Sequence, residues 1–160
     1  MIKVKRLGHA TISTPDIEAQ TDYYGRLLGL SVVDKTKDRV FLASKQGLEA
    51  IELVRGKPNE LTRLSFQIAP GTDLNDVVKE LGAMGIKAER RKDVSPGIAE
   101  AVTFDDPKGT PLDLYSEYKF AKRDEAPNIF NILKLGHVAY RVLDVQKIVK
   151  FYSEVLGFRV

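Results

Sequence analysis

The sequence has no cysteine and no tryptophan, and only two of its 160 residues are histidines. Without cysteine, disulfides, thiolate nucleophiles and cysteine-ligated zinc sites are excluded. No apolar run approaches the roughly 18 residues that a membrane-spanning helix needs. The first residues are also not followed by the hydrophobic segment of a signal peptide. We therefore expect a cytoplasmic protein with no membrane partner.

An excess of one charge is lacking too, because 25 basic residues face 22 acidic ones and the net charge is +3. The densest basic cluster, residues 89–93, begins with Glu89 and ends with Asp93. This pattern predicts a solvated surface and no nucleic-acid partner. With 29% charged and 43% hydrophobic residues, the composition is that of an ordinary soluble globular protein.

The chain contains an internal repeat at a constant spacing. Leu7-Gly8-His9-Ala10 returns as Leu135-Gly136-His137-Val138, and 137 minus 9 gives an offset of 128. Tyr24 and Tyr152 keep this offset, as do Gly29 and Gly157. Self-similarity at a fixed spacing marks a duplicated structural unit. Both histidines of the chain occupy the same place in that unit.

The first unit has the order βαβββ. Residues 6–13 predict a strand, and Thr14 with Pro15 predicts an N-cap followed by proline at the first helical position. Gly29 is placed to end the helix. The apolar positions of this helix fall on one face: Ile17, Tyr24, Leu27 and Leu28. Three short antiparallel strands are predicted to follow, at residues 32–33, 40–43 and 50–54.

The middle of the chain repeats the βαβββ order with little sequence identity. Residues 63–68 predict a strand, and Asp73 can cap a helix that ends at Gly85. The apolar residues of that helix follow the 3.6-residue period: Leu74, Val77, Val78, Leu81 and Met84. Three strands are predicted to follow at residues 88–91, 99–104 and 111–115, with a tight hairpin turn at 105–109.

These elements predict the domain organisation. Residues 1–116 form a first domain of two modules, 1–57 and 61–116, and residues 117–131 form a linker. Residues 132–160 begin a second, incomplete domain with a strand at 135–142 and a helix at 144–156. A lone strand and helix cannot bury their apolar faces. We expect them to pack on the first domain or on another chain, which favours a homo-oligomer.

The motifs quoted above resemble those of the vicinal oxygen chelate superfamily of glyoxalases, bleomycin-resistance proteins and extradiol dioxygenases. Residues 106–115 and 151–158 carry the resemblance as well. It implies an α+β fold, in which paired βαβββ modules form a curved mixed sheet around a cavity. This is the glyoxalase/bleomycin resistance/dihydroxybiphenyl dioxygenase fold, followed here by the βα start of a third module.

The layout is most similar to the N-terminal half of a type I extradiol ring-cleavage dioxygenase. In such an enzyme the first pair of modules is non-catalytic, and the second pair holds Fe(II) with two histidines and one glutamate. The resemblance makes His137 the first ligand, and the other two are not in this sequence. The complete enzyme would cleave a small catechol-type aromatic with O₂. We expect the chain as given to be inactive and to bind no iron by itself.

Matching positions in the first pair of modules are His9, Arg63 and Asp113, with Glu52 as a weaker candidate. An arginine has no lone pair for a metal, whereas it forms charge-assisted hydrogen bonds with carboxylates. Our hypothesis is that Arg63 pairs with Asp113 or Glu52 and substitutes for a lost ion. His9 would then be an inherited structural histidine. Asp113 and Glu52 as strand residues facing solvent remain the alternative.

Arg63, Tyr115 and Tyr140 are candidate pocket residues, whereas the tyrosines at helical spacing, Tyr23, Tyr24 and Tyr152, indicate core. Two other functions stay open. One is a small-molecule binding protein of the bleomycin-resistance kind, and the other is a glyoxalase-like lyase or isomerase with a metal shared in a dimer. Proteins of both kinds normally end after two modules, so the linker and the second histidine motif favour the dioxygenase.

Overall fold

The computed structural model describes residues 2–58, 60–125, 130, 132–139 and 141–159. Its first module has the predicted order, with a strand, a helix and three strands. These are β1 (Arg6–Thr14), α1 (Ile17–Arg26), β2 (Ser31–Lys35), β3 (Arg39–Ala43) and β4 (Glu49–Arg55). The second module repeats the order with β5 (Glu60–Gln67), α2 (Leu74–Ala83), β6 (Glu89–Ser95), β7 (Ile98–Asp105) and β8 (Pro111–Tyr115). Every strand predicted for these two modules is present.

The eight strands form one curved mixed sheet in the order β2-β3-β4-β1-β5-β8-β7-β6. Strand β1 is parallel to β4, β5 is parallel to β8, and the other neighbours are antiparallel. At the centre Ala10 pairs with both Ile51 and Leu64, and Leu64 pairs with Leu112. The two modules are therefore related by an approximate two-fold axis that passes between Ala10 and Leu64.

The convex face of the sheet carries the main hydrophobic core. Side chains alternate between the two faces of a strand, so apolar residues of the four central strands point together toward α1 and α2. The buried members of this core include Ala10, Ile51, Leu53, Leu64, Phe66, Leu112 and Leu114 from the sheet, and Ile17, Leu74, Val77 and Leu81 from the helices. The opposite, concave face carries the polar residues described below.

The helix caps differ in one place from the prediction. Asp16, not Thr14, is the N-cap of α1, because its carboxylate accepts from the backbone N–H of Ala19 at 2.9 Å. Asp73 caps α2 as expected, and Gly85 follows that helix with φ of 75°. Leu27, predicted on the apolar face of α1, is the C-cap of this helix and is 54% exposed, so its place in the apolar face is wrong.

Residues 117–125 contain no helix or strand, but they are fixed to the first module. The Tyr118 hydroxyl donates to the Gly47 carbonyl at 3.0 Å and accepts from the Glu49 N–H at 2.8 Å. Backbone hydrogen bonds join Ala121 to Gly47 and Asp124 to Lys45. This part of the predicted linker is therefore docked on the β3–β4 turn.

The third unit contributes α3 (Val145–Glu154). This helix packs on the convex face, where Tyr152 contacts Phe66, Phe151 contacts Phe104, and Val155 and Leu156 are buried. The predicted strand at 135–142 is wrong for the described residues 135–139 and 141–142, which form no strand. A strand needs a hydrogen-bonded neighbour, and no described strand pairs with this segment.

The two edges of the sheet differ in charge. Edge strand β6 begins with five consecutive charged residues, 89–93, and its register shifts between Lys92 and Ser95. Asp93 lies at this irregularity with φ of 51°. The other edge strand, β2, carries fewer charges and exposes Val32. No described helix is long and apolar enough to cross a bilayer.

Candidate functional site

The candidate site lies on the concave face, where four adjacent strands point polar side chains inward. Thr11 of β1 pairs with Glu52 of β4 and with Arg63 of β5, and Ser65 of β5 pairs with Asp113 of β8. The approximate two-fold axis relates Thr11 to Ser65 and Glu52 to Asp113. It also relates His9 to Arg63, because His9 lies two residues before Thr11 and Arg63 lies two residues before Ser65.

His9 is buried at the centre of this cluster with 1% of its surface exposed. Its Nε2 lies 3.2 Å from the Ser65 hydroxyl and 3.8 Å from a Glu52 carboxylate oxygen. Its Nδ1 lies 3.7 Å from a Glu49 oxygen, and neither of these two atoms has a hydrogen-bond partner. Burial lowers the pKa of His9 to about 4, against the opposing effect of the Asp113 charge. The imidazole is therefore neutral at pH 7.

Asp113 is fully buried, and two arginines bind its two oxygens. Arg63 Nη1 donates to Oδ1 at 2.7 Å, and Arg91 Nη1 donates to Oδ2 at 3.2 Å. Arg63 Nη1 also donates to the Thr103 hydroxyl at 2.8 Å. Both side chains are partly exposed, at 24% for Arg63 and 31% for Arg91, so the cluster reaches solvent on this side.

Glu52 is bound in a similar way. The Thr11 hydroxyl donates to its Oε2 at 2.6 Å, and Arg39 Nε donates to its Oε1. Arg39 also donates from Nη2 to the Val94 carbonyl at 2.8 Å, and it lies over the Phe41 ring. Because Val94 belongs to β6, this arginine connects the two ends of the curved sheet.

Glu49 makes a second contact between the two ends of the curved sheet. Its Oε1 accepts from the Gly97 N–H at 2.7 Å, which holds the tip of the β6–β7 hairpin against β4. Burial raises the pKa of Glu49, while the hydrogen bond from Gly97 lowers it. The protein's own side chains thus surround His9 on the concave face and bury its imidazole.

This donor set does not fit a metal ion. Arg63 occupies the position related to His9, and guanidinium groups already bind both Glu52 and Asp113. Among the described residues, no group of three or more histidine, aspartate or glutamate side chains is placed to hold a metal. A redox-active iron site needs lone pairs from imidazole and carboxylate together with open positions.

The other predicted site residues lie apart from this cluster. His137 is exposed and lines a groove of about 580 Å³ with Val4, Phe66 and Phe158. Tyr115 is 1% exposed and packs over Gly8 and against Tyr118; burial raises its pKa to about 12. Tyr140 lies outside the described residues.

Sequence reasoning missed Arg39, Glu49, Ser65 and Arg91. Arg91 belongs to the cluster that was interpreted as a solvated surface, and that interpretation is wrong for this residue. Its neighbour Arg90 does point outward, to Glu100 and Asn75. The alternation of side chains along a strand is the signal that separates the two.

Comparison with known proteins adds a family and several relatives. The family model described as Glyoxalase/Bleomycin resistance protein/Dioxygenase superfamily matches residues 6–114 and 134–160. Among curated proteins, a 1,2-dihydroxynaphthalene dioxygenase of Sphingobium xenophagum is 26% identical over 99% of this chain and 57% of its own length. An iron-dependent extradiol dioxygenase of Rhodococcus jostii is 24% identical over 99% of this chain and 56% of its own length.

Solved structures show the same fold. The 2,3-dioxygenase LapB from Pseudomonas sp. KL28 superposes with a TM-score of 0.84 at 22% identity, over 98% of this chain and 60% of LapB. Homoprotocatechuate 2,3-dioxygenase from B. fuscum gives 0.84 at 24% identity, over 99% of this chain and 46% of that one. The chain spans about half the length of the curated relatives it matches.

Proposed function

Because this chain belongs to the Glyoxalase/Bleomycin resistance protein/Dioxygenase superfamily, we propose that it is the N-terminal part of an extradiol dioxygenase. The complete enzyme would open the ring of a small catechol-type aromatic with O₂. In this proposal residues 1–116 are the first domain, residues 117–131 connect the domains, and residues 132–160 begin the second.

The observation that carries this proposal is the extent of the matches. Extradiol dioxygenases align with 99% of this chain but with only 55–57% of their own length. The matched region includes the third unit, with its Leu135-Gly136-His137 motif and α3. A protein of two modules would have no counterpart for that unit.

We assign His137 as one ligand of an Fe(II) ion in the complete enzyme. Two further ligands would come from residues outside this sequence. When bound, such an ion supplies open coordination positions for a diol and for O₂. His137 is exposed and lines an open groove, so its imidazole is accessible to a metal ion.

The first domain acts in this proposal as a scaffold for the third unit. The convex face buries Val155 and Leu156, and the Tyr152 hydroxyl donates to Asp106 in the β7–β8 turn at 3.2 Å. These contacts hold α3, and with it the segment that carries His137. The concave face has no such role in this proposal, since arginines bind its two buried carboxylates, Glu52 and Asp113.

The two other candidate functions have less support. A binding protein of the bleomycin-resistance kind needs an open cavity, whereas Arg39 and Glu49 bridge the concave face to the β6–β7 hairpin. A glyoxalase-like lyase needs a metal site between the modules, and Arg63 holds a ligand position there. Neither alternative accounts for the third unit.

The two histidines of the repeat offer a matched test. The uninterrupted reading frame containing these residues would be expressed, and iron content and O₂ uptake with a catechol would be measured. We expect His137→Gln to lower O₂ uptake by at least about 100-fold, as expected when a metal ligand is lost. We expect His9→Gln, in the corresponding position of the first unit, to change it by less than about threefold.

The opposite ranking of the two variants would overturn the proposal. So would a reading frame in which no histidine and glutamate follow in a fourth module. Circular dichroism of each variant separates loss of the site from loss of folding.

A further inference from the structure

We propose that the Arg63 guanidinium, which binds Asp113 on the face that also carries His9 and Glu52, takes the place of a divalent metal ion. On this view the centre of the concave face carries residues that could bind a metal ion, and the Arg63 side chain prevents such binding. Replacement of Arg63 by histidine would then allow a metal ion to bind. This inference concerns the first domain alone and does not rest on the dioxygenase proposal.

The strand register places the four positions as two equivalent pairs. Ala10 pairs with Ile51, and its counterpart Leu64 pairs with Leu112. One residue further along the second strand of each pair lie Glu52 and Asp113, so the two carboxylates are equivalent. One residue before Ala10 and before Leu64 lie His9 and Arg63. A histidine at position 63 would therefore give two imidazoles and two carboxylates.

Each carboxylate already has an arginine on one oxygen. Arg39 binds Oε1 of Glu52, and Arg91 binds Oδ2 of Asp113. Of the other oxygens, Oε2 of Glu52 accepts from the Thr11 hydroxyl at 2.6 Å and lies 3.8 Å from His9 Nε2. Oδ1 of Asp113 accepts from Arg63. Groups that hydrogen-bond the outer atoms of metal ligands are a regular part of metal sites. Arg63 is the one cation of the three that lies at a ligand position.

Charge and burial explain why some cation is needed there. Glu52 is 3% exposed and Asp113 is fully buried. Without Arg63, Asp113 would keep only the hydrogen bond from Arg91 at 3.2 Å, and a buried carboxylate with too little compensating charge destabilises the fold. A guanidinium supplies one positive charge and forms a hydrogen bond without any open coordination position. The arginine thus keeps the electrostatic role of an ion and excludes its chemistry.

The test uses the 160-residue chain with His137→Gln as background, so that the exposed imidazole does not bind the probe. Co(II) is titrated after treatment with EDTA, and its visible absorption reports binding. We expect Arg63→His to bind Co(II) at least about tenfold tighter than the matched neutral variant Arg63→Gln, a difference of about 1.4 kcal/mol. Adding His9→Gln to Arg63→His should remove that gain.

Two results would overturn the inference. The first is binding of Co(II) by the background chain with native Arg63, abolished by His9→Gln. The second is a folded Arg63→His variant that binds Co(II) no tighter than Arg63→Gln. If Arg63→His is unfolded without metal, Co(II) should restore its circular dichroism, because binding to the native state stabilises it. A variant that stays unfolded in Co(II) while Arg63→Gln folds also contradicts the inference.

Discussion

His9 is the residue whose environment most changes its chemistry. It lies among Glu49, Glu52 and Asp113, yet burial keeps its imidazole neutral, with a pKa of about 4 in place of 6.5. A neutral imidazole can donate from one nitrogen and accept at the other. The His9–Ser65 contact at 3.2 Å is consistent with this state. The cost of a charge at His9 should therefore appear as a dependence of stability on pH.

We expect His9 to make the protein less stable in mild acid. Between pH 6.5 and pH 4 the unfolded chain binds a proton at this histidine and the folded chain does not. The contribution of His9 is thus fully present above pH 6.5 and falls as the pH drops toward 4, by up to about 1.4 kcal/mol per pH unit. Urea unfolding of the native chain and of His9→Gln, at several pH values, measures the difference.

The matched variant His137→Gln removes the other histidine and keeps His9, so it should retain the loss of stability that His9 causes in mild acid. The raised pKa of Glu49 acts in the opposite direction. A carboxyl group that holds its proton more tightly in the folded state makes the folded protein less stable as pH rises. Comparison of variants that keep Glu49 largely separates the two effects. Parallel curves for native chain and His9→Gln would show that His9 is not held neutral.

At the level of elements, glycines decide where the docked segment 117–125 can lie. A Cβ atom on Gly47 would lie 2.2 Å from the Ala121 carbonyl oxygen. A Cβ on Gly97 would lie 2.5 Å from a Tyr118 ring carbon. The segment therefore depends on close backbone approach at both turns, in addition to its own hydrogen bonds.

Gly47→Ala and Gly85→Ala form a matched pair. Both glycines have positive φ, 81° and 75°, but a Cβ on Gly85 meets no atom within 4 Å. We expect Gly85→Ala to cost about 1 kcal/mol of unfolding free energy from backbone strain alone. Gly47→Ala should cost more and should speed hydrogen exchange at the Ala121 and Asp124 amides. Equal exchange in the two variants would mean that the segment is held without this close approach.

The elements of the first two modules could be predicted from local patterns. Apolar residues at strand or helix spacing gave the order of eight strands and two helices, and Asp73 and Gly85 marked the limits of α2. The strand at 135–142 could not be judged in this way, because pairing depends on residues far away in the sequence. The cap at Asp16 was missed since Thr14 and Asp16 are both good caps.

The site was predictable only in part, for a related reason. The repeat singled out His9, and the resemblance to the superfamily added Arg63, Asp113 and Glu52; their contacts follow from strand register. Arg39 and Glu49 act across the closure between β3, β4 and the β6–β7 hairpin, which no local pattern shows. Their positions depend on how strongly the sheet curves, and that is a property of the whole packed domain.

At the level of the whole molecule, the first domain and the third unit share one core. Leu156 is fully buried in the same cluster as Phe66 and Ile2, and its carbonyl accepts from the Val4 N–H at 3.1 Å. The N-terminal residues are therefore held between the sheet and the end of α3. Loss of this contact should affect both parts together.

We expect Leu156→Ala to lower the free energy of unfolding by about 2–4 kcal/mol, as for other large-to-small changes in cores. Its repeat counterpart Leu28→Ala should cost less, because Leu28 is only partly buried. Urea unfolding measures the stability of both variants. It is followed by circular dichroism and by tyrosine fluorescence, which is observable because the chain has no tryptophan. If the two signals of Leu156→Ala separate into two transitions, the third unit unfolds independently and the shared core is contradicted.

The unequal edges of the sheet have a consequence for storage and aggregation. An unpaired edge strand is a template for other chains, and charge or a bulge blocks its extension. Strand β6 has both protections. Strand β2 also has a register shift, between Val32 and Asp34, but it carries fewer charges and exposes Val32. We therefore expect aggregates to grow by strand addition at the β2 edge, and Val32→Lys is the natural change for raising solubility.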